Sequence, residues 1–214
     1  MKFSHIIWDW NGTIVDDASL CVEIVNEILH QYDLEEVTLN YYVNNFTFPV
    51  KEYYELIGLP ITTASYKSIS DFFISHYRKR FSQCDLQKGI LQVIKQFSDA
   101  GITQSVLSAA FQDDLVKFVS HYGLEPYFTS ISGVDDILAN GKLSIAAKHF
   151  NFLGIARNKI LLIGDTCHDH EIAHSLGISS VLLCSGHNSY ELLNKVNSPV
   201  LTSASELVNF ISSW

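Results

Sequence analysis

Basic residues are scarce in this chain: 14 Lys and Arg stand against 23 Asp and Glu, a formal charge of −9 over 214 residues. That balance argues against a nucleic-acid surface, because a phosphate backbone needs clustered cations. A small anionic ligand stays open, since a bound cation and one lysine reverse the field locally. Cysteine is sparse too. Cys21, Cys84, Cys167 and Cys184 form no CxxC pair and no compact secreted-type framework, so they read as reduced thiols of a cytosolic protein. The longest apolar runs fall well short of the roughly 20 residues that cross a bilayer. The one at the N-terminus is also too short for a signal peptide. A cytoplasmic protein with no membrane partner is therefore expected, as a monomer or a homodimer. Repeats and low-complexity tracts are absent. With 47% hydrophobic and 17% charged residues, the chain has ample material for a core and little tendency to disorder.

What the chain does contain is alternation. Short apolar runs separated by amphipathic stretches are the pattern of βα units on a parallel sheet. Strands are predicted at 5–10, 103–107, 129–132, 159–163, 179–183 and 199–201. All but the last are apolar enough to be buried on both faces. Ile90, Val93, Ile94 and Phe97 recur at helical spacing before Gly101, as do Leu115, Phe118, Val119 and Tyr122 before Gly123. Ser203 and Glu206 have the spacing of a capping box for a last helix. Only 16–83 breaks the alternation, reading as consecutive helices. Its first carries the stripe Cys21, Ile24, Val25, Ile28, Leu29, and its last, about 64–81, ends in the basic cluster Arg78-Lys79-Arg80. Two parts are expected: a core of 1–15 and 83–214, and a helical cap of 16–82 above the sheet's carboxyl edge, where open α/β sheets bind ligands.

Chemistry-bearing residues cluster at the ends of these strands. In Ile6-Ile7-Trp8-Asp9-Trp10-Asn11-Gly12-Thr13 an apolar strand ends in a carboxylate, and a glycine then allows a sharp turn whose N–H groups can cradle phosphate. A carboxylate so placed can attack phosphorus; the same pattern also suits an Asn-Gly turn capped by Asp9. Ile160-Leu161-Leu162-Ile163-Gly164-Asp165-Thr166-Cys167-His168-Asp169 delivers two further carboxylates, an oxygen set suited to Mg²⁺ or a capped helix start. Ser108 follows the strand at 103–107, as a phosphoryl-oxygen ligand or a helix cap. Lys142, in Asn140-Gly141-Lys142, is a cation for the site or a surface lysine.

The order Asp, Ser, Lys, then Asp-x3-Asp resembles the haloacid-dehalogenase superfamily over essentially the whole chain. The helical segment after the first strand, and Asp169-His170-Glu171-Ile172-Ala173-His174-Ser175-Leu176-Gly177, are similar to its phosphoglycolate phosphatase branch. The resemblance implies a Rossmann-like three-layer α/β core with a parallel sheet, plus a small all-helical cap. It also implies hydrolysis of a small phosphorylated metabolite through an aspartyl-phosphate at Asp9, with Mg²⁺ as cofactor. Asp9, the Asn11 carbonyl, Asp165 and Asp169 would serve the metal. The N–H groups of Trp10 and Ala109, with Ser108 and Lys142, would hold the phosphoryl group. Lys148 competes for the lysine role. In the cap, Phe46-Thr47-Phe48-Pro49-Val50-Lys51 offers Phe48 and Lys51 as an aromatic surface and one cation for substrate, or as ordinary cap core with Lys51 on the surface.

One residue departs from that family. Its phosphatases carry an acid/base aspartate two positions after the nucleophile, and this chain has Asn11. An amide positions water but exchanges no proton usefully at neutral pH, and losing general acid–base catalysis typically costs about 10²–10⁴-fold. Four accounts follow: a slow phosphatase aided by water, His168 or His170; a preference for good leaving groups; dehalogenase or phosphonate-hydrolase chemistry; or an engineered trap. A non-catalytic phospho-ligand binder is the alternative of a different class.

Overall fold

The computed structural model describes residues 2–135 and 141–212. Its sheet contains β1 (His5–Trp8), β4 (Thr103–Phe111), β5 (Ser130–Val134), β6 (Ile160–Gly164), β7 (Ser179–Leu183) and β8 (Val200–Leu201). These pair in parallel in the order β5-β4-β1-β6-β7-β8. Alternation along β1 sends Ile6 and Trp8 to one face and Ile7 to the other. The first face packs on α5 (Ile90–Asp99), α6 (Gln112–His121) and α10 (Glu206–Ser212), the second on α7 (Gly141–Leu153) and α8 (Cys167–Leu176). This is the expected three-layer α/β core. Gly101 and Gly123 follow α5 and α6 at positive φ, as their cap positions require.

Two expectations need correction. β4 runs four residues past the predicted 107, to Phe111, through a register shift against β5. A short antiparallel ribbon, β2 (Val15–Asp16) with β3 (Asp85–Leu86), was not predicted. Two-residue strands carry no readable alternation, so only pairing reveals them. Between β2 and β3 lie α1 (Ala18–Gln31), α2 (Leu39–Asn45), α3 (Val50–Leu56) and α4 (Thr63–Arg80). The α1 stripe is buried as expected. The basic end of α4 does more than complement its helix dipole. Arg80 reaches Glu27 (2.8 Å) and Glu23 on α1, and Arg78 reaches Asp114 on α6 at 2.7 Å.

A buried relay beneath the sheet makes one prediction. Thr103 Oγ1 donates to the Ser4 carbonyl (3.1 Å), so it accepts from His5 Nδ1 (2.7 Å). With both rings neutral, His5 Nε2 accepts from Ser105 Oγ (2.8 Å), which accepts from His149 Nε2 (2.8 Å), and His149 Nδ1 accepts from Ser132 (2.7 Å). Every link is then satisfied, and the burial that surrounds both rings favours that state. Burial pushes both imidazoles down to about 4, and His149 adds to the effect on His5. Folded pKa values below the unfolded 6.5 mean that this stability is complete above pH 6.5 and lost as pH falls towards 4. The loss is about 3 kcal/mol per ring. In urea titrations the double variant His5→Asn with His149→Gln should lose less stability than wild type between pH 6.5 and 4. Equal losses would refute the relay.

Candidate active site

Strand order decides which carboxyl ends become neighbours. β1 is central, flanked by β4 and β6, and the chain reverses direction across the sheet there, the place where α/β sheets open a crevice. Asp9 just beyond β1, Ser108 in β4 and Asp165 just beyond β6 therefore converge. Carboxylate oxygens of Asp9, Asp165 and Asp169 lie within 4.8 Å of one another, all buried. Lys142, on the first turn of α7, is buried among them and donates to Asp9 and to Asp169 Oδ1 (2.6 Å). Lys148 is exposed, so Lys142 is the lysine the fold brings to this point, although Asn140 lies outside the described residues.

Local sequence explains each placement. Thr166 caps α8 in a capping box with Asp169, whose Oδ2 accepts from Thr166 N (3.1 Å) and Oγ1 (2.8 Å). Asp169 is thus fixed by its own helix start while its other oxygen faces Lys142. Asp165 accepts from Thr13 Oγ1 (2.8 Å) and His187 N (2.6 Å). Gly12, at φ +72°, and Gly186 both lie so close to Asp165 that a Cβ would overlap its carboxylate. Ser108 does not cap α6; it is buried and accepts from Ala110 N at 3.0 Å. The Trp10 ring packs on Tyr122 (5.9 Å between centroids), so only its backbone can serve the site.

Burial, with Asp169 and Asp165 alongside, drives the Asp9 carboxyl well above its usual range, and Lys142 opposes this. Burial also raises Asp165, to about 6. For Asp169 burial is outweighed by Lys142 and Thr166, which hold it low; for Lys142 the same burial is outweighed by Asp169 and Asp9, which hold it protonated. Three close carboxylates against one ammonium leave the pocket short of positive charge. An all-oxygen set of this kind fits Mg²⁺.

A second network surrounds Asn11, and its members escaped the sequence reading. Asp17 is fully buried, accepting from Gly12 N (2.8 Å), Asn11 Nδ2 (2.6 Å) and Tyr77 OH (2.7 Å). Asn11 Nδ2 also donates to Tyr77 OH at 2.9 Å. Tyr77 gives its proton to Asp17, so the side facing both must be the NH₂, and its two hydrogens are then committed. His187, after β7, places Nε2 3.3 Å from Asp17 Oδ1 and Nδ1 2.9 Å from Tyr42 OH. Burial works against a charge on His187, but Asp17 outweighs it and raises the imidazole to about 9. Burial would raise Asp17, yet His187, Asn11 and Tyr77 together hold it below the usual carboxylate range.

Above these groups lies a cavity of about 690 Å³. Asp9, Asn11, Ser108, Ala109, Lys142 and Asp169 line its floor, and rings from α2–α4 and the α2–α3 connection, among them Phe46, Phe48, Tyr53 and Phe73, line its walls. Lys51 does not belong there. It sits half-exposed, 3.6 Å from Glu55 one turn on, because the inward positions of α3 are taken by Tyr53 and Tyr54. His168 lines the cavity, stacked on Phe48 and paired with Glu171 at 2.9 Å. His170 turns to Ser180 on β7 (3.0 Å) and is not among the lining residues.

Comparison with known proteins agrees with this arrangement. Residues 6–183 match the family model described as haloacid dehalogenase-like hydrolase. Pyrophosphatase PpaX of Halalkalibacterium halodurans is 22% identical, over 86% of this chain and 84% of its own. The phosphoglycolate phosphatase of Agrobacterium fabrum is 25% identical, over 87% and 83%. A Clostridium acetobutylicum protein described as a predicted phosphatase shares the fold across all of both chains, with a TM-score of 0.87 at 19% identity. With a parallel sheet, a carboxylate nest at its switch point and a match over most of its length, the chain belongs to the haloacid dehalogenase-like hydrolase family.

Proposed function

We propose that this protein is a phosphatase of phosphate monoesters that uses Asp9 as nucleophile. The observation that carries the reading is the meeting of Asp9, Asp169, Lys142 and Ser108 at the floor of one cavity, with Asp165 buried beside Asp9 and Asp169. The phosphatase and pyrophosphatase names of its relatives support it. An Asp9 oxygen attacks phosphorus, the ester P–O bond breaks, and the departing alkoxide takes a proton from water. A second water then attacks the aspartyl-phosphate, releasing phosphate and restoring Asp9. Lys142 matches the charge shared by Asp9 and the phosphoryl oxygens, and Ser108 with the N–H of Ala109 and Trp10 holds those oxygens. Asp9, Asp165, Asp169 and the Asn11 backbone carbonyl would bind Mg²⁺, which supplies Lewis-acid stabilisation of phosphoryl charge when present.

Asn11 contributes no proton in this scheme. With both amide hydrogens engaged, its carbonyl oxygen is what remains to orient a water. The segment 16–82 acts as a cap that closes the cavity over the floor. No helix among the described residues is long and apolar enough to cross a membrane, and the four thiols are free, in keeping with a cytoplasmic enzyme. The test is phosphate release from 4-nitrophenyl phosphate and acetyl phosphate, with and without Mg²⁺. Wild type should require the ion, and Asp9→Asn should fall to background. Undiminished turnover by Asp9→Asn would remove the nucleophile assignment.

A further inference from the structure

The shape and charge of the cavity say more about the substrate than the relatives' names do. Each basic side chain that lines it already has an acidic partner: Lys142 has Asp9 and Asp169, Arg78 has Asp114 (2.7 Å), His187 has Asp17 (3.3 Å) and His168 has Glu171 (2.9 Å). Beyond the phosphoryl floor no unmatched Lys, Arg or His lines the cavity among the described residues. A carboxylate or second phosphate would then lie among Phe and Tyr rings without a partner, which is costly. At about 690 Å³ the cavity is also of a size that encloses a drug-sized ligand. Apolar surface is what the rings offer, in positions fixed by mutual packing: Phe46 stacks on Tyr42 (4.8 Å) and meets Phe48 edge-on (5.3 Å) and Tyr53 (5.5 Å). The Tyr53 hydroxyl is buried with no hydrogen-bond partner among the described residues, so a ligand oxygen is the partner it lacks.

We infer that the substrate is a phosphate monoester of an uncharged, ring-bearing alcohol rather than a small di-acid such as phosphoglycolate or pyrophosphate. This rests on the phosphatase reading. Ring stacking and desolvation would hold the alcohol, while Asp9, Ser108 and Lys142 serve the phosphoryl end.

The test compares 2-phenylethyl phosphate with 2-phosphoglycolate, both esters of primary alcohols, and with pyrophosphate. Calorimetric binding to Mg²⁺-loaded Asp9→Asn is measured beside steady-state hydrolysis by wild type. The aromatic ester should bind at least about 10-fold more tightly and show a kcat/KM at least about 10-fold higher than phosphoglycolate. Phe48→Ala should shrink that margin. Phosphoglycolate or pyrophosphate binding as tightly as the aromatic ester would overturn the inference and leave the phosphatase reading intact, as would wild-type hydrolysis of phosphoglycolate as efficient as that of the aromatic ester. If nothing is hydrolysed but the binding preference holds, the phosphatase reading fails and the cavity assignment survives.

Discussion

Exchanging the carboxylate and amide between positions 11 and 17, in the double variant Asn11→Asp with Asp17→Asn, is expected to raise hydrolysis of 2-phenylethyl phosphate by about 10²–10⁴-fold. An alkyl ester gains most from a protonated acid at the leaving oxygen, and the second step gains a base for water. The exchange conserves the hydrogen bonds. A carboxamide at 17 still accepts from Gly12 N and donates towards 11, and Tyr77 OH keeps an oxygen to donate to. Asn11→Asp alone should gain much less. The amide nitrogen it replaces lies 2.6 Å from an Asp17 oxygen, so two carboxylates would face each other and share one proton instead of delivering it to substrate. His187 loses its ion-pair partner in the double variant, and the melting temperature should fall while the fold survives. A double variant no faster than wild type would show that proton transfer at position 11 is not what limits this enzyme.

Lys142→Met should produce the largest stability effect. Lys142 is the cation that pairs with both Asp9 and Asp169, in a pocket from which water is largely excluded. Removing one partner of a buried ion pair costs about 3–5 kcal/mol, because the remaining charges stay uncompensated. In chelator at pH 7 the variant's denaturation midpoint should drop accordingly. Lower pH should recover part of the loss, since Asp9 already lies above its usual range and protonates readily. Mg²⁺ should recover more, because a ligand that binds only the folded state stabilises it. Turnover should fall by about 10²–10³-fold even with Mg²⁺, the usual effect of losing one preorganised charge. A variant as stable as wild type in chelator would mean that Lys142 does not balance this cluster.

The parallel strands of the main sheet and the reactive groups at their carboxyl ends were legible in the sequence. Parallel strands buried on both faces are continuous apolar runs, and whatever follows such a run sits at the sheet's edge, so Asp9, Ser108 and Asp165 could be placed without knowing a single contact. For Lys142 and Asp169 the residues alone left a surface lysine and a capped helix start open, and only the family-like order of the motifs pointed to the site. Tertiary structure decided everything that depends on who meets whom. Asp17 stands at the N-cap position of α1, but its side chain makes no cap hydrogen bond and turns back to Gly12 and Asn11. His187 follows a strand whose end carries no acid, so nothing local marked it, although the Asp165 carboxylate and the Gly12 carbonyl leave room only for a glycine at Gly186 beside it. Of the two readings of Lys51 the surface one holds, because the face of a short helix is set by its neighbours, here Tyr53 and Tyr54. Strand ends are encoded by the residues that build them. The matching of Arg78 by Asp114 and of His187 by Asp17 joins residues far apart in the chain, and only packing brings such charges close enough to cancel.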